Sequence, residues 1–193
     1  MKTVIEKITE QLTEEDKKKI EAAGDILKQG GLVAFPTETV YGLGADALNP
    51  EASKKIYAAK GRPSDNPLIV HISNMKALEK ITSEIPEKAK KMAEQFWPGP
   101  LTMIFPKSEQ VPLETTGGLE TVAVRMPNHP IALALIDAGG GYIAAPSANT
   151  SGKPSPTRAE HVALDMDGKI PMILDGGAVG IGIESTIVDF STE

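Results

Sequence analysis

Short apolar runs alternate with amphipathic helical stretches along this chain, and most runs are closed by proline or glycine. That pattern leaves few architectures open, chiefly a sheet whose strands are joined by packed helices. Glu14 to Lys28 carries Ile20, Ala23, Ile26 and Leu27 on one helical face, with Thr13 as N-cap and Gly30 as the stop. Leu32 to Phe35 predicts a strand ended by Pro36, and Pro50 to Ala59 a helix. Pro67 to Ile72 predicts a strand, followed by helices over Met75 to Ile81 and Glu87 to Phe96. Trp97-Pro98-Gly99-Pro100 breaks the chain hard. Strands follow over Leu101 to Phe105 and Thr121 to Val124, then a helix over Ile131 to Asp137 stopped by Gly139, Gly140 and Gly141. Tyr142 to Ala145 reads as a buried strand, Arg158 to Asp165 as a helix, and Met172 to Leu174 and Thr186 to Asp189 as closing strands. Lys2 to Ile5 suits a short edge strand. Alternation in the first half and mixing in the second predict an α/β fold: a twisted, mixed parallel/antiparallel sheet with packed helices. The 193 residues fit one domain spanning 1–193, without repeat or linker.

The absence of cysteine excludes disulfides, a thiolate nucleophile and cysteine-based zinc sites, and points to a reducing, cytoplasmic setting. Met1 to Lys19 is charged and lacks the apolar core of a signal peptide. No apolar run approaches the ~20 residues of a membrane span. A net charge of −6 opposes nucleic-acid binding through bulk charge, although a local basic cleft remains compatible with it.

Several familiar motifs fail on context. Gly42-Leu43-Gly44 with Ala47 imitates a dinucleotide fingerprint, but the strand ends too early and the helix starts too late. Gly152-Lys153 lacks the first glycine of a P-loop and is followed by Pro154. Asp165-x-Asp167-Gly168 lacks further calcium ligands, and His71, His129 and His161 have no metal-ligand spacing, so no protein-held metal is expected.

Three segments carry chemistry or turns, and local pattern alone leaves both readings open. Pro36 to Gly44 follows a strand and offers Thr37, Thr39 and free backbone N–H groups to an anion, or caps a chain reversal. Lys60-Gly61-Arg62-Pro63-Ser64 ends a helix with a basic cluster that suits phosphate or carboxylate, or that merely answers the helix dipole. Ala144 to Ser155 runs from small residues into Ser147, Asn149 and further hydroxyls, which suit a flat ligand or a flexible turn. Arg125 ends a strand and requires a partner if buried; a ligand carboxylate is one candidate, and Asp137 or another acid of the chain is the other. Gly182 to Thr186 adds hydroxyls at a strand start.

In order, Phe35-Pro36-Thr37-Glu38-Thr39-Val40-Tyr41-Gly42, Lys60-x-Arg62, Trp97-Pro98-Gly99-Pro100-Leu101-Thr102, Val124-Arg125-Met126-Pro127, Ser147-x-Asn149, Pro154-Ser155-Pro156-Thr157 and Glu184-Ser185-Thr186 resemble the Sua5/YciO/YrdC family. Within it they resemble the Sua5-type L-threonylcarbamoyladenylate synthases, over about Gly30 to Asp189. The resemblance implies a YrdC-like fold with an open basic cleft. It implies a nucleotidyltransferase that makes threonylcarbamoyl-AMP and pyrophosphate from L-threonine, bicarbonate and ATP. The product would pass to the tRNA-modifying threonylcarbamoyl transferase for N6-threonylcarbamoyladenosine. Mg²⁺ is expected to accompany ATP. By the same resemblance Thr37, His71, Arg125, Ala145 and Ser185 hold L-threonine, Arg125 taking its carboxylate. Lys60, Arg62, Ser64, Thr121, Ser147, Asn149 and Ser155 hold the nucleotide, with Lys60 and Arg62 catalytic through charge neutralisation on the phosphates. No side-chain general base stands out in these motifs. Longer Sua5 proteins continue into a second domain, so a chain ending at Glu193 is expected to be a short or truncated member.

Two other readings compete. A hydrogenase-maturation carbamoyltransferase would bring zinc-type cysteine motifs, which are missing. An RNA-binding module with a YrdC-like fold is opposed by the −6 charge and by only one Trp, three Tyr and four Phe, with no basic–aromatic interleaving.

Overall fold

The computed structural model describes residues 1–192. In chain order the elements are β1 (Val4–Lys7), α1 (Glu14–Lys28), β2 (Val33–Pro36), β3 (Tyr41–Asp46), α2 (Pro50–Lys60), β4 (Ile69–His71), α3 (Met75–Ile81) and α4 (Glu87–Phe96). They continue with β5 (Leu101–Pro106), β6 (Thr121–Arg125), α5 (Pro130–Ala138), β7 (Ile143–Ala144), α6 (Ala159–Met166), β8 (Met172–Asp175) and β9 (Thr186–Asp189). The described strands make a nine-stranded sheet in the order β1-β8-β2-β3-β7-β4-β6-β5-β9. Parallel pairs β1/β8, β2/β8, β4/β6 and β5/β9 are interleaved with antiparallel β2/β3, β3/β7, β4/β7 and β5/β6, so the sheet is mixed as expected.

The period of two in the strands divides the core. Val33, Phe35, Met172 and Leu174 point to one face, where α1 and α5 bury Ile20, Ala23, Leu27, Ile131 and Leu135 against them. Ala34 and Ile173 point to the other, where α2 and α6 contribute Ala52, Ile56, Val162 and Met166. Local signals set the helix bounds. Thr13 and Asp16 form a reciprocal capping box at the start of α1. Asn49 caps α2 ahead of Pro50, and Gly61 ends it in the left-handed conformation at φ 60°. α1 meets α5 at Gly24, where an added Cβ would lie 2.4 Å from the Ala138 carbonyl oxygen. Gly24→Ala would gain about 1 kcal/mol of helix propensity. Overpacking against backbone costs about 1–3 kcal/mol, so a lower Tm is expected; an unchanged or raised Tm in thermal unfolding would show that the helices separate freely.

Three strand bounds are corrected. Pro36 does not end the pairing: it lies in β2 opposite Tyr41, and Pro36 to Gly44 makes the chain reversal that was one of its two readings, as a hairpin. Thr37 N–H donates to the Val40 carbonyl, and β3 then runs through Gly42 and Gly44 in the middle of the sheet. Glycine weakens strand propensity, which hid β3. The sheet needs it there: a Cβ on Gly44 would lie 2.9 Å from Ile143 Cγ2 and 3.0 Å from the Phe35 ring. The first strand also begins later, at Val4, and the strand expected over Pro67 to Ile72 contracts to Ile69–His71.

Candidate functional site

Parallel pairing of β4 with β6 sets His71 opposite Arg125. Around this pair Thr37, Arg62, Ala145, Ser147, Glu184 and Ser185 help to line one cavity. Its volume is about 140 Å³. Sites that enclose a drug-sized ligand hold about 300–1,000 Å³, so this cavity is amino-acid-sized, with Arg62 and Ser147 in its lining.

Arg125 is almost fully buried. Its Nη1 donates to Thr39 Oγ1 at 3.0 Å and its Nε to the Gly99 carbonyl at 3.3 Å. Its charge partner is Glu38, whose other oxygen accepts from the Asn128 backbone N–H. The alternative partner Asp137 instead accepts from the Ser73 hydroxyl. Part of the guanidinium fork remains directed at the cavity. Thr37 Oγ1 donates to the Val40 carbonyl at 2.7 Å and accepts from Thr39 N–H at 3.2 Å, so the threonines both build the hairpin turn and face the cavity. The two readings of this segment therefore hold together.

His71 Nδ1 lies 3.1 Å from the Ile69 carbonyl oxygen. A carbonyl only accepts, so Nδ1 carries the proton and Nε2 keeps a lone pair. Burial, reinforced by the Arg125 charge, pushes the imidazole pKa down to about 3 and keeps the ring neutral. Phe35 packs edge-on to it at 6.2 Å between centroids. Next along the sheet from Arg125, the Thr102 and Ser185 hydroxyls are 2.7 Å apart.

Lys60 sits against the Ser147–Asn149 loop, 2% exposed. Its ammonium donates to the carbonyls of Ser147 and of Asn149, the latter at 2.6 Å. Burial, with Arg62 adding like-charge repulsion, pushes its pKa down to about 8. It therefore ties the end of α2 to the Ser147–Asn149 loop and does not itself line the cavity. Arg62 does line it, braced by the Asn66 and Pro67 carbonyls at 3.2 and 2.9 Å. Asn149 spends its amide on the Thr150 and Lys153 carbonyls at 2.9 and 2.8 Å.

The remaining expected nucleotide contacts are dispersed. Ser155 reaches the cavity rim through Glu184, donating to it at 2.8 Å. Ser64 lies instead beside Lys54, Tyr57 and Gly117 in a separate depression. Thr121 stands at the start of β6 opposite Pro106, away from the cavity lining. Thr39, expected as one of two hydroxyls of its segment, belongs to the site; Glu38 and Glu184 belong to it too and carry no individual signal in the sequence, although each lies inside a motif that does. Among the described residues no group of three or more His, Asp or Glu side chains is placed to hold a metal. No described helix is long and apolar enough to cross a membrane.

A small cavity in an α/β domain, lined by two arginines, hydroxyls and one glutamate, has the donors that carboxylates and phosphates require. Residues 25–193 match the family model Sua5_yciO_yrdC, described as telomere recombination, and the chain belongs to that family. It is 58% identical over 189 residues to the threonylcarbamoyl-AMP synthase of Pyrococcus abyssi, covering 98% of this chain and 55% of the relative. With the enzyme of the same description from Bacillus subtilis it shares 59% identity over 182 residues, covering 94% of this chain and 52% of the relative. The chain thus spans about half the length of these curated relatives. The solved structure of P. abyssi Sua5 complexed with L-threonine superposes with a TM-score of 0.94 at 57% identity, covering 97% of this chain and 54% of that one. Escherichia coli YciO superposes with a TM-score of 0.87 at 21% identity, covering 99% of this chain and 92% of that one, a likeness of fold alone.

Proposed function

We propose that this chain carries the L-threonylcarbamoyladenylate synthase site, converting L-threonine, bicarbonate and ATP into threonylcarbamoyl-AMP and pyrophosphate. The observation that carries the reading is the buried Arg125, part of its fork facing an amino-acid-sized cavity beside neutral His71, Thr37 and Ser185. A carboxylate would be taken by the guanidinium. Thr37, His71 and Ser185 supply partners for the remaining polar atoms of threonine, and Ala145 packs against its apolar part. ATP would lie across the mouth, with Arg62 and Ser147 nearest the phosphates and Lys60, Asn149 and Ser155 shaping the loop around them. Mg²⁺ would travel with the triphosphate, coordinated chiefly by phosphate and water. No covalent intermediate is required; positioning and charge neutralisation supply the rate. The adenylate would then serve a tRNA-modifying threonylcarbamoyl transferase in the cytoplasm. Residues 1–193 act in this reading as a single YrdC-like unit.

The test is pyrophosphate release from ATP and bicarbonate, with and without L-threonine. Threonine-dependent release is the expected result. Absence of release, with no saturable threonine binding by calorimetry and a salt-dependent shift with RNA, would replace the synthase with an RNA-binding role.

A further inference from the structure

We propose that Glu184 is the base that takes the proton from the substrate amine. This rests on the synthase reading and supplies the group that the family motifs left unassigned. Glu184 is the one acidic side chain among the described residues that line the cavity. It lies at the seam of the two half-sites. Its chain neighbour Ser185 lines the same wall and bonds to Thr102, which pairs across the sheet with Arg125. Its own Oε1 accepts from Ser155, and its charge is felt by both Lys60 and Arg62. An amino acid held by Arg125 and a nucleotide held along Arg62 and Ser147 would meet at this seam, and the carbamate must form where they meet.

The other candidates are committed elsewhere. Glu38 has one oxygen on Arg125 and the other on the Asn128 N–H. Lys60 donates into the Ser147–Asn149 loop. His71 is buried against Arg125, which opposes a second positive charge. Glu184 keeps accepting capacity beyond its one hydroxyl bond, and it is exposed, so a proton taken up can leave to solvent.

In the step, the Glu184 carboxylate takes one proton from the threonine ammonium. The freed nitrogen lone pair forms the N–C bond to the carbon of bicarbonate. The C–OH bond breaks, and the departing hydroxide takes a second proton from nitrogen and leaves as water. The product is the carbamate, whose oxygen is then free to attack the α-phosphorus. Glu184 returns its proton to solvent.

General base catalysis contributes roughly 100- to 10,000-fold. Glu184→Gln keeps an acceptor for Ser155 and removes the basicity. The expected result is a fall in kcat of about 100-fold or more, with the calorimetric Kd for L-threonine and the Tm close to wild type. Glu184→Ala should be similarly impaired and partly restored by formate, which enters an exposed position. A kcat for Glu184→Gln close to wild type would overturn the proposal. So would loss of threonine binding in parallel with kcat, which would make Glu184 an anchor for the ammonium. Failure of the wild-type chain to release pyrophosphate in response to threonine would overturn the synthase reading, and this inference with it.

Discussion

Arg125→Ala is expected to lose most of the L-threonine affinity read by calorimetry. Truncating one partner of a buried, hydrogen-bonded charge pair costs about 2–5 kcal/mol, and each 1.4 kcal/mol is about tenfold in Kd. A loss of roughly 100-fold or more is therefore expected. Stability falls as well, because Glu38 loses its cation. The loss is at the lower end of the about 3–5 kcal/mol typical of broken buried pairs, since the Glu38 side chain retains the Asn128 N–H and is 15% exposed. Arg125→Lys separates charge from shape: a point charge cannot reach Thr39, Gly99, Glu38 and a ligand together. Affinity unchanged in the alanine variant, with the fold intact by circular dichroism, would remove Arg125 from carboxylate recognition.

Lys60→Ala is expected to cut pyrophosphate release far more than it weakens threonine binding. The ammonium holds the carbonyls of Ser147 and Asn149, and a buried carbonyl left without a donor costs about 1–3 kcal/mol, enough to move the loop along which the phosphates would lie. Turnover is expected to fall roughly 100-fold, as about 2.7 kcal/mol of lost transition-state stabilisation implies. The Kd for threonine should shift only a fewfold, because Arg125, His71 and Thr37 belong to other strands and turns. Lys60→Met, which fills the same space without the donor, should behave alike and so distinguish the lost bonds from a lost volume. Unaffected release in both variants would deny Lys60 any part in the phosphate half of the site. An equal loss of threonine affinity would mean that the Ser147–Asn149 loop carries both halves.

Much of this was legible before any coordinates. Helices announce themselves locally: α1, α3 and α4 coincide with their sequence signals because those signals lie in or next to the segment itself, with side-chain caps at Thr13 and Asn74 for α1 and α3 and Pro86 ahead of α4. β3 did not, because the reason for its glycines lies elsewhere in the chain, in the Phe35 ring and the Ile143 side chain that press on it. The same divide runs through the site. Thr37, His71, Arg125, Ala145 and Ser185 were named through family motifs and do share one cavity, although their role there remains our proposal. Glu38 as the partner of Arg125 could not be read from spacing, since 87 residues separate them. Nor could the burial of Lys60, whose basic neighbours in sequence suit a solvated helix end, while its bonds go to carbonyls 87 and 89 residues further along the chain.

The pairing of His71 with Arg125 is a matter of how two parallel strands are aligned along their length. Shifting one strand by a single residue would turn every side chain on it to the opposite face. An insertion within Ile69–His71 or Thr121–Arg125 would therefore carry one of the two residues out of the cavity altogether. The recognition end of this pocket is in effect indexed by the sheet, so its ligand preference can drift through the lining side chains but not through changes in strand length.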